Sequence, residues 1–165
     1  MTPTRDTRTR LIDGAGEALA QYGLRELTVA RVIQAAGLSR RTYYQYFSDK
    51  DAVLLALYER VVDELLAAIR EQVAAAEGAV AAMYAGVDAY LDFQETGGRL
   101  VTLLQAEAAN PASPLWALRE RTLEEMVTLI DTNTRKVLGA SLDPLVYRGL
   151  FLALESLVLH VRAGG

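Results

Sequence analysis

The chain reads as an all-α protein, and three observations lead to that reading. Alanine and leucine dominate its 165 residues, and both favour helix. Apolar residues recur at helical spacing along most of the length. Where that spacing breaks, a glycine or a short polar capping residue stands at the break. The expected architecture is a small unit of three helices followed by a longer helical bundle.

The elements follow in order. The first helix is expected over residues 6–21, with Leu11, Ile12, Ala15 and Leu19 on one face and Gly23 as its stop. Gly14 and Gly16 fall inside it, where they lower helix propensity unless a neighbour packs close. Thr28 is placed to cap a second helix carrying Val29, Val32, Ile33 and Ala36. Gly37 follows, where a left-handed turn costs least. Ser39 caps a third helix of about two turns, with Tyr43 and Phe47 as core contacts. Ser48 is the expected cap of a fourth helix over residues 49–76, with Asp51 at the capping-box position.

Gly78 breaks the pattern, and a fifth helix runs to Gly97–Gly98. A short sixth follows over residues 100–109 and stops at Asn110–Pro111. The seventh is expected over residues 113–138. Asp143 and Pro144 open the eighth as cap and first helical residue. Its stretch LFLALESLVLHV is apolar on nearly every side and needs cover on more than one face, for which a second subunit is expected. The chain stops at Gly164–Gly165, a typical break between helices, and one further helix is expected to be missing after it.

The totals bound the function. There is no cysteine, so disulfides, thiolate nucleophiles and thiolate metal sites are excluded. No apolar run reaches the roughly 20 residues that span a bilayer, and the N-terminus lacks the apolar centre of a signal peptide. A cytoplasmic protein without membrane association is expected. Net charge is −4, but it is uneven: residues 1–50 hold eight Lys/Arg against five Asp/Glu, and the rest hold nine against sixteen. Screening limits electrostatic reach to about 8–10 Å, so the local excess governs contact with a polyanion.

Residues 28–51, TVARVIQAAGLSRRTYYQYFSDKD, concentrate the functional signal. Two short helices joined by a glycine turn place Arg40, Arg41 and Gln45 near the start of the second. Such groups read base edges when a helix end enters a groove.

Thr28, Ala35–Ala36–Gly37, Ser39, Thr42, Tyr44, Tyr46–Phe47, Asp49–Lys50–Asp51 and Leu54 together resemble the DNA-binding region of the tetracycline-repressor (TetR) family. The resemblance covers residues 5–54, about a third of the chain. It implies a helix-turn-helix DNA-binding domain at residues 1–50 and a helical ligand-binding and dimerisation domain at residues 51–165. The function implied is a ligand-responsive transcriptional regulator, a repressor by the family's habit. It would bind a palindromic double-stranded operator as a homodimer through its C-terminal helices and leave it when a small apolar or aromatic effector binds. No cofactor is expected.

The expected DNA-binding residues are Thr28, Ser39, Arg40, Arg41, Thr42, Tyr44, Gln45 and Lys50. Arginine donates two parallel hydrogen bonds to guanine, and glutamine pairs with adenine. Thr28, Thr42, Tyr44 and Lys50 suit phosphates, which set register. Arg5, Arg8 and Arg10 fit either a backbone-tracking arm or an arm without a role. The family often has a small residue where Arg41 stands, so a typical target sequence does not transfer.

By the same resemblance the bundle holds a pocket, for which Met83, Tyr84, Tyr90, Leu104, Trp116, Met126 and Tyr147 are the expected lining; core packing is the plainer account for most of them. Trp116 after Pro114 suits a gating loop. Glu155, the one acid in the eighth helix, suits a pair with Arg148, Arg162 or His160 across a dimer. An enzyme is not expected. The chain has one histidine, no H-E-x-x-H and no phosphate-binding glycine loop, and the adjacent Glu124 and Glu125 diverge on a helix.

Overall fold

The computed structural model describes residues 6–164, and among them there are helices and no strand. The elements are α1 (Thr7–Tyr22), α2 (Val29–Ala36), α3 (Arg40–Tyr46), α4 (Lys50–Ala75), α5 (Ala79–Ala108), α6 (Trp116–Leu138) and α7 (Pro144–Gly164), with a 3-10 turn at Leu24–Glu26. The fifth and sixth helices expected from the sequence are the two arms of α5, which breaks at Gly98 with φ 51° and ψ −134°. Only glycine adopts that backbone without strain. Trp116 begins α6, so it is helical and not part of a gating loop.

The chain forms two compact units. One runs to Val61 and takes in Arg99–Trp116; the other comprises Val62–Gly98 and the chain from Ala117 onward.

In the first unit, Leu11, Ala15 and Leu19 of α1, Val32 of α2, Tyr43 of α3 and Val53 and Leu57 of α4 are all buried. Gly14 explains how α1 meets α2. A Cβ there would stand 2.8 Å from the Ala36 nitrogen and 2.9 Å from the Val32 oxygen, so only glycine permits the approach. Gly16 is different: a Cβ there would meet Leu57 and Leu100 at 3.5 and 3.6 Å, ordinary contact distances. Arg60 and Asp13 join α4 to α1 through a 2.7 Å ion pair.

The caps obey local chemistry. Thr28 Oγ1 accepts from the Arg31 N–H, and Ser39 Oγ accepts from the Thr42 N–H at 3.0 Å. The cap of α4 is Asp49, not Ser48. Asp49 Oδ1 accepts from the Ala52 N–H at 2.8 Å, while Ser48 Oγ donates to Asp49 Oδ2 at 2.9 Å. A carboxylate is a stronger acceptor than a hydroxyl and also opposes the positive helix end. The Ala52 N–H, then the Ser48 hydroxyl, hold the Asp49 carboxyl below the usual carboxylate range.

In the second unit, Leu65, Leu66 and Ile69 of α4, Ala89 and Tyr90 of α5, Leu123 and Met126 of α6 and Tyr147 of α7 are buried. The Tyr147 hydroxyl donates to Asp131 Oδ1 at 2.9 Å and accepts from the Leu142 N–H at 2.9 Å, which pins the α6–α7 turn. Burial alone would raise the Asp131 carboxyl; bonds from Ser141 and Tyr147 and the Arg135 charge outweigh it and hold the group low. Glu155 pairs within its own chain, with Arg119 of α6, and not with Arg148 or His160. Arg148 instead grips Glu120 with two bonds of 2.7 and 2.8 Å. Glu155 and Arg119 are both largely buried, and a charge so placed needs a partner close by. The Arg162 side chain lies outside the described residues.

Candidate functional site

The first candidate surface is α3. Tyr43 anchors it: the ring is fully buried, stands 5.8 Å from the Phe47 ring, and its hydroxyl donates to the Asp49 carbonyl at 2.7 Å. Burial, with the nearby Asp49 charge, pushes that hydroxyl well above its ordinary pKa, so it stays a donor. With Tyr43 inward, Arg41 and Gln45, two residues to either side of it, point to the opposite side of the helix. Arg40, Arg41, Tyr44, Gln45 and Tyr46 are all exposed.

These groups differ in how free they are. Arg40 reaches the Tyr44 hydroxyl at 3.5 Å and lies over the Tyr44 ring, 5.7 Å from its centre. Ser39 and Thr42 hydroxyls share a 2.8 Å bond, so both serve the cap. Thr28 Oγ1 likewise accepts at its own helix start, which leaves its hydroxyl hydrogen to donate outward, as one of the Ser39 and Thr42 hydroxyls still can. Arg41 and Gln45, four residues apart and hence on one face, have no protein partner among the described residues. Lys50 is the first residue of α4 and half-buried.

Of the arginines before this region, Arg5 lies outside the described residues. Arg8 is in α1, its guanidinium 5.6 Å from the Phe47 ring centre. Arg10 donates to the Ala36 carbonyl at 3.0 Å. It therefore satisfies the end of α2, where a cation meets the negative pole of the helix. Arg31, not singled out from the sequence, holds Glu26 at 2.7 Å and stacks over Tyr22 at 4.1 Å. No spacing rule marks such a pair, because it depends on how the 3-10 turn folds back.

The second candidate site is a cavity of about 640 Å³ within the second unit. That volume lies inside the range of about 300–1,000 Å³ typical of small-molecule sites. Met83, Tyr84, Tyr90 and Met126, four of the seven expected residues, line it. The other three do not. Leu104 and Trp116 belong to the first unit, and Tyr147 is buried with its hydroxyl spent on the α6–α7 turn. Leu150, Phe151 and Leu154 of α7 and Asn133 and Val137 of α6 complete the wall. Asn133 was noticeable in sequence as a polar residue on an apolar stripe; the three α7 residues look there like ordinary bundle core.

Comparison with known proteins agrees with the amino-terminal reading. Residues 11–57 match the family described as bacterial regulatory proteins, tetR family. The HTH-type transcriptional repressor Rv1474c of Mycobacterium tuberculosis is 37% identical over 76 residues, which is 46% of this chain and 38% of that protein. The HTH-type transcriptional activator FasR of Mycolicibacterium smegmatis is 29% identical over 93 residues, 56% of this chain and 42% of that protein. The chain thus spans about two fifths of the length of these curated relatives. The fold extends further. The structure of a transcriptional regulator FadR from Bacillus subtilis, in complex with stearoyl-CoA, matches with a TM-score of 0.81 at 18% identity, covering 94% of this chain and 87% of that one.

Proposed function

The amino-terminal region of this chain is of the tetR family, and from that premise we propose that the protein is a ligand-responsive transcriptional regulator, acting as a repressor. We assign DNA binding to residues 1–50 and ligand binding and dimerisation to residues 51–165; the compact units divide later, at Val61, and count Arg99–Trp116 with the first. One observation carries the proposal: Arg41 and Gln45 stand exposed and unengaged on one face of a helix whose other side is locked by Tyr43. Arg41 and Gln45 read base edges in the major groove, with Arg40 and Ser39 beside them. Thr28, Thr42, Tyr44 and Lys50 hold phosphates.

The partner is double-stranded DNA with a two-fold operator, because the protein pairs through its C-terminal helices. Support for pairing lies on α7. Val146, Leu150, Leu157 and Val161 are 45%, 62%, 58% and 65% exposed and fall within about 60° of one another at 3.6 residues per turn. Gly149 and Ala153 lie in the same exposed stripe, and a Cβ at Gly149 would meet nothing within 4 Å. An apolar stripe with small residues at its centre suits a second copy of the same helix. Two recognition helices then address half-sites about 34–36 Å apart.

The effector is a small molecule held in the 640 Å³ cavity. It acts by preferring a dimer arrangement that no longer matches the operator, and α4, which has residues in both units, transmits the change. No helix among the described residues is long and apolar enough to cross a membrane, and we place the protein in the cytoplasm with its DNA.

A mobility-shift assay with the DNA flanking its own coding sequence tests this reading. Arg41→Ala should weaken specific binding by about 1–3 kcal/mol for each half-site, roughly fivefold to 150-fold apiece, and relax discrimination at one base pair in each. Lys50→Ala should weaken all sequences alike and reduce the salt slope by about two, one lysine being lost from each copy of the dimer. Unchanged binding by Arg41→Ala would remove the base-reading role.

A further inference from the structure

We infer that the cavity of the second unit selects an uncharged, largely aliphatic molecule bearing one hydroxyl group, which donates its hydrogen to Asn133 Oδ1. The inference rests on the proposed regulator reading only in calling this molecule the effector.

The walls decide the first half. None of the residues lining the cavity is charged. A carboxylate, phosphate or ammonium group placed among these walls would lose its water and find no counter-ion, a cost that an uncharged molecule of the same length avoids. The walls are valine, leucine, isoleucine, methionine and aromatic rings, which reward aliphatic surface.

Asn133 decides the second half. It is 6% exposed and lines the cavity, on the same stripe of α6 as Met126, Leu129, Ile130 and Val137. Leucine there would favour the helix more and bring no polar group to bury. The one bond Asn133 makes runs from its side-chain nitrogen to the Leu129 carbonyl at 3.0 Å. A backbone carbonyl only accepts, so this bond determines which end of the amide turns toward it. Among the described residues the carbonyl oxygen has no protein partner. The side chain therefore supplies an acceptor, and a hydroxyl is the simplest uncharged donor that satisfies it. Tyr84, the lining residue with a hydroxyl on its most exposed side chain, is 70% exposed and keeps water as a partner. The Tyr90 ring is buried and packs edge-on against Phe151, 5.3 Å between centres.

Calorimetric titration of the full chain at pH 8 tests this with four ten-carbon-scale probes: 1-decanol, 1-methoxynonane, decanoate and decanoyl-CoA. The alcohol should bind about tenfold more tightly than the ether, which has the same length and no donor, and more tightly than either anion. Asn133→Leu should bring the alcohol to the ether's affinity while leaving the ether unchanged. The alcohol–ether comparison in the unsubstituted protein stands whether or not that variant folds. Equal affinity for alcohol and ether, no binding of either, tighter binding of decanoate or decanoyl-CoA, or an equal loss for both neutral probes in Asn133→Leu would each overturn the inference. A mobility shift on the same preparation separates the two readings. Failure to bind operator DNA would sink the regulator and leave the cavity result intact; a failed titration beside intact DNA binding would do the reverse.

Discussion

The outward side of α3 carries arginine, glutamine and tyrosine, whereas the outward side of α7 carries leucine, valine, glycine and alanine. Both helices leave one side uncovered, yet the chemistry left uncovered is opposite. Polar donors on α3 keep their hydration and lose little by standing alone. The α7 stripe does lose: Leu150 and Leu157, 62% and 58% exposed, each forgo roughly 1–2 kcal/mol of burial. An uncovered face made of donors suits a hydrated polyanion, and one made of branched aliphatic groups suits another apolar surface. Exposure alone does not distinguish a partner's class; the residues exposed do.

The contrast can be broken most forcefully at α7. Leu157→Glu with Val161→Glu should abolish dimerisation, shifting the association constant by at least about a hundredfold, because two unpaired charges per copy would enter an apolar contact. Sedimentation at micromolar concentration would read this, and helix content should stay unchanged because both positions are solvent-exposed in the single chain. A dimer that persists would remove α7 from the interface.

A smaller effect separates the two glycines of α1. Gly14→Ala should destabilise the protein by about 1–3 kcal/mol, since the new methyl meets α2 backbone and neither side can yield. Gly16→Ala should stabilise it by about 0.5–1 kcal/mol, the helix-propensity gain at a site with room. Thermal unfolding of the two variants would check the opposite signs.

The smallest expected change concerns acid. The Asp49 carboxyl is held low in the folded chain, so its stabilising share is fully present above the unfolded carboxylate value and disappears as pH falls through the folded one. Asp49→Asn should therefore lower the unfolding midpoint slightly at pH 7 and flatten its decline below about pH 4. Parallel acid melts of the two proteins would show it, and identical slopes would assign the acid response elsewhere, Asp131 being the next candidate.

Much of the first unit was legible because its determinants are local. Thr28, Gly37 and Ser39 act within a few residues of themselves, and Tyr43 declares the buried side of α3 by standing one turn before Phe47. Even so, the α4 cap moved one residue from Ser48 to Asp49, since two adjacent acceptors compete and only geometry selects between them. The cavity was legible in part. Met83, Tyr84, Tyr90 and Met126 belong to apolar stripes, and so do Leu104 and Tyr147; a stripe says that a residue is covered, not by what.

The sequence by itself determined the helices, their stops and the polar face of α3, because caps, turns and periodicity depend on neighbours along the chain. Tertiary structure decided which apolar residues enclose empty space, which acid answers Arg119, and that Gly14 rather than Gly16 is indispensable. Those outcomes depend on distances between segments far apart in sequence, where a few tenths of an ångström separate contact from clash.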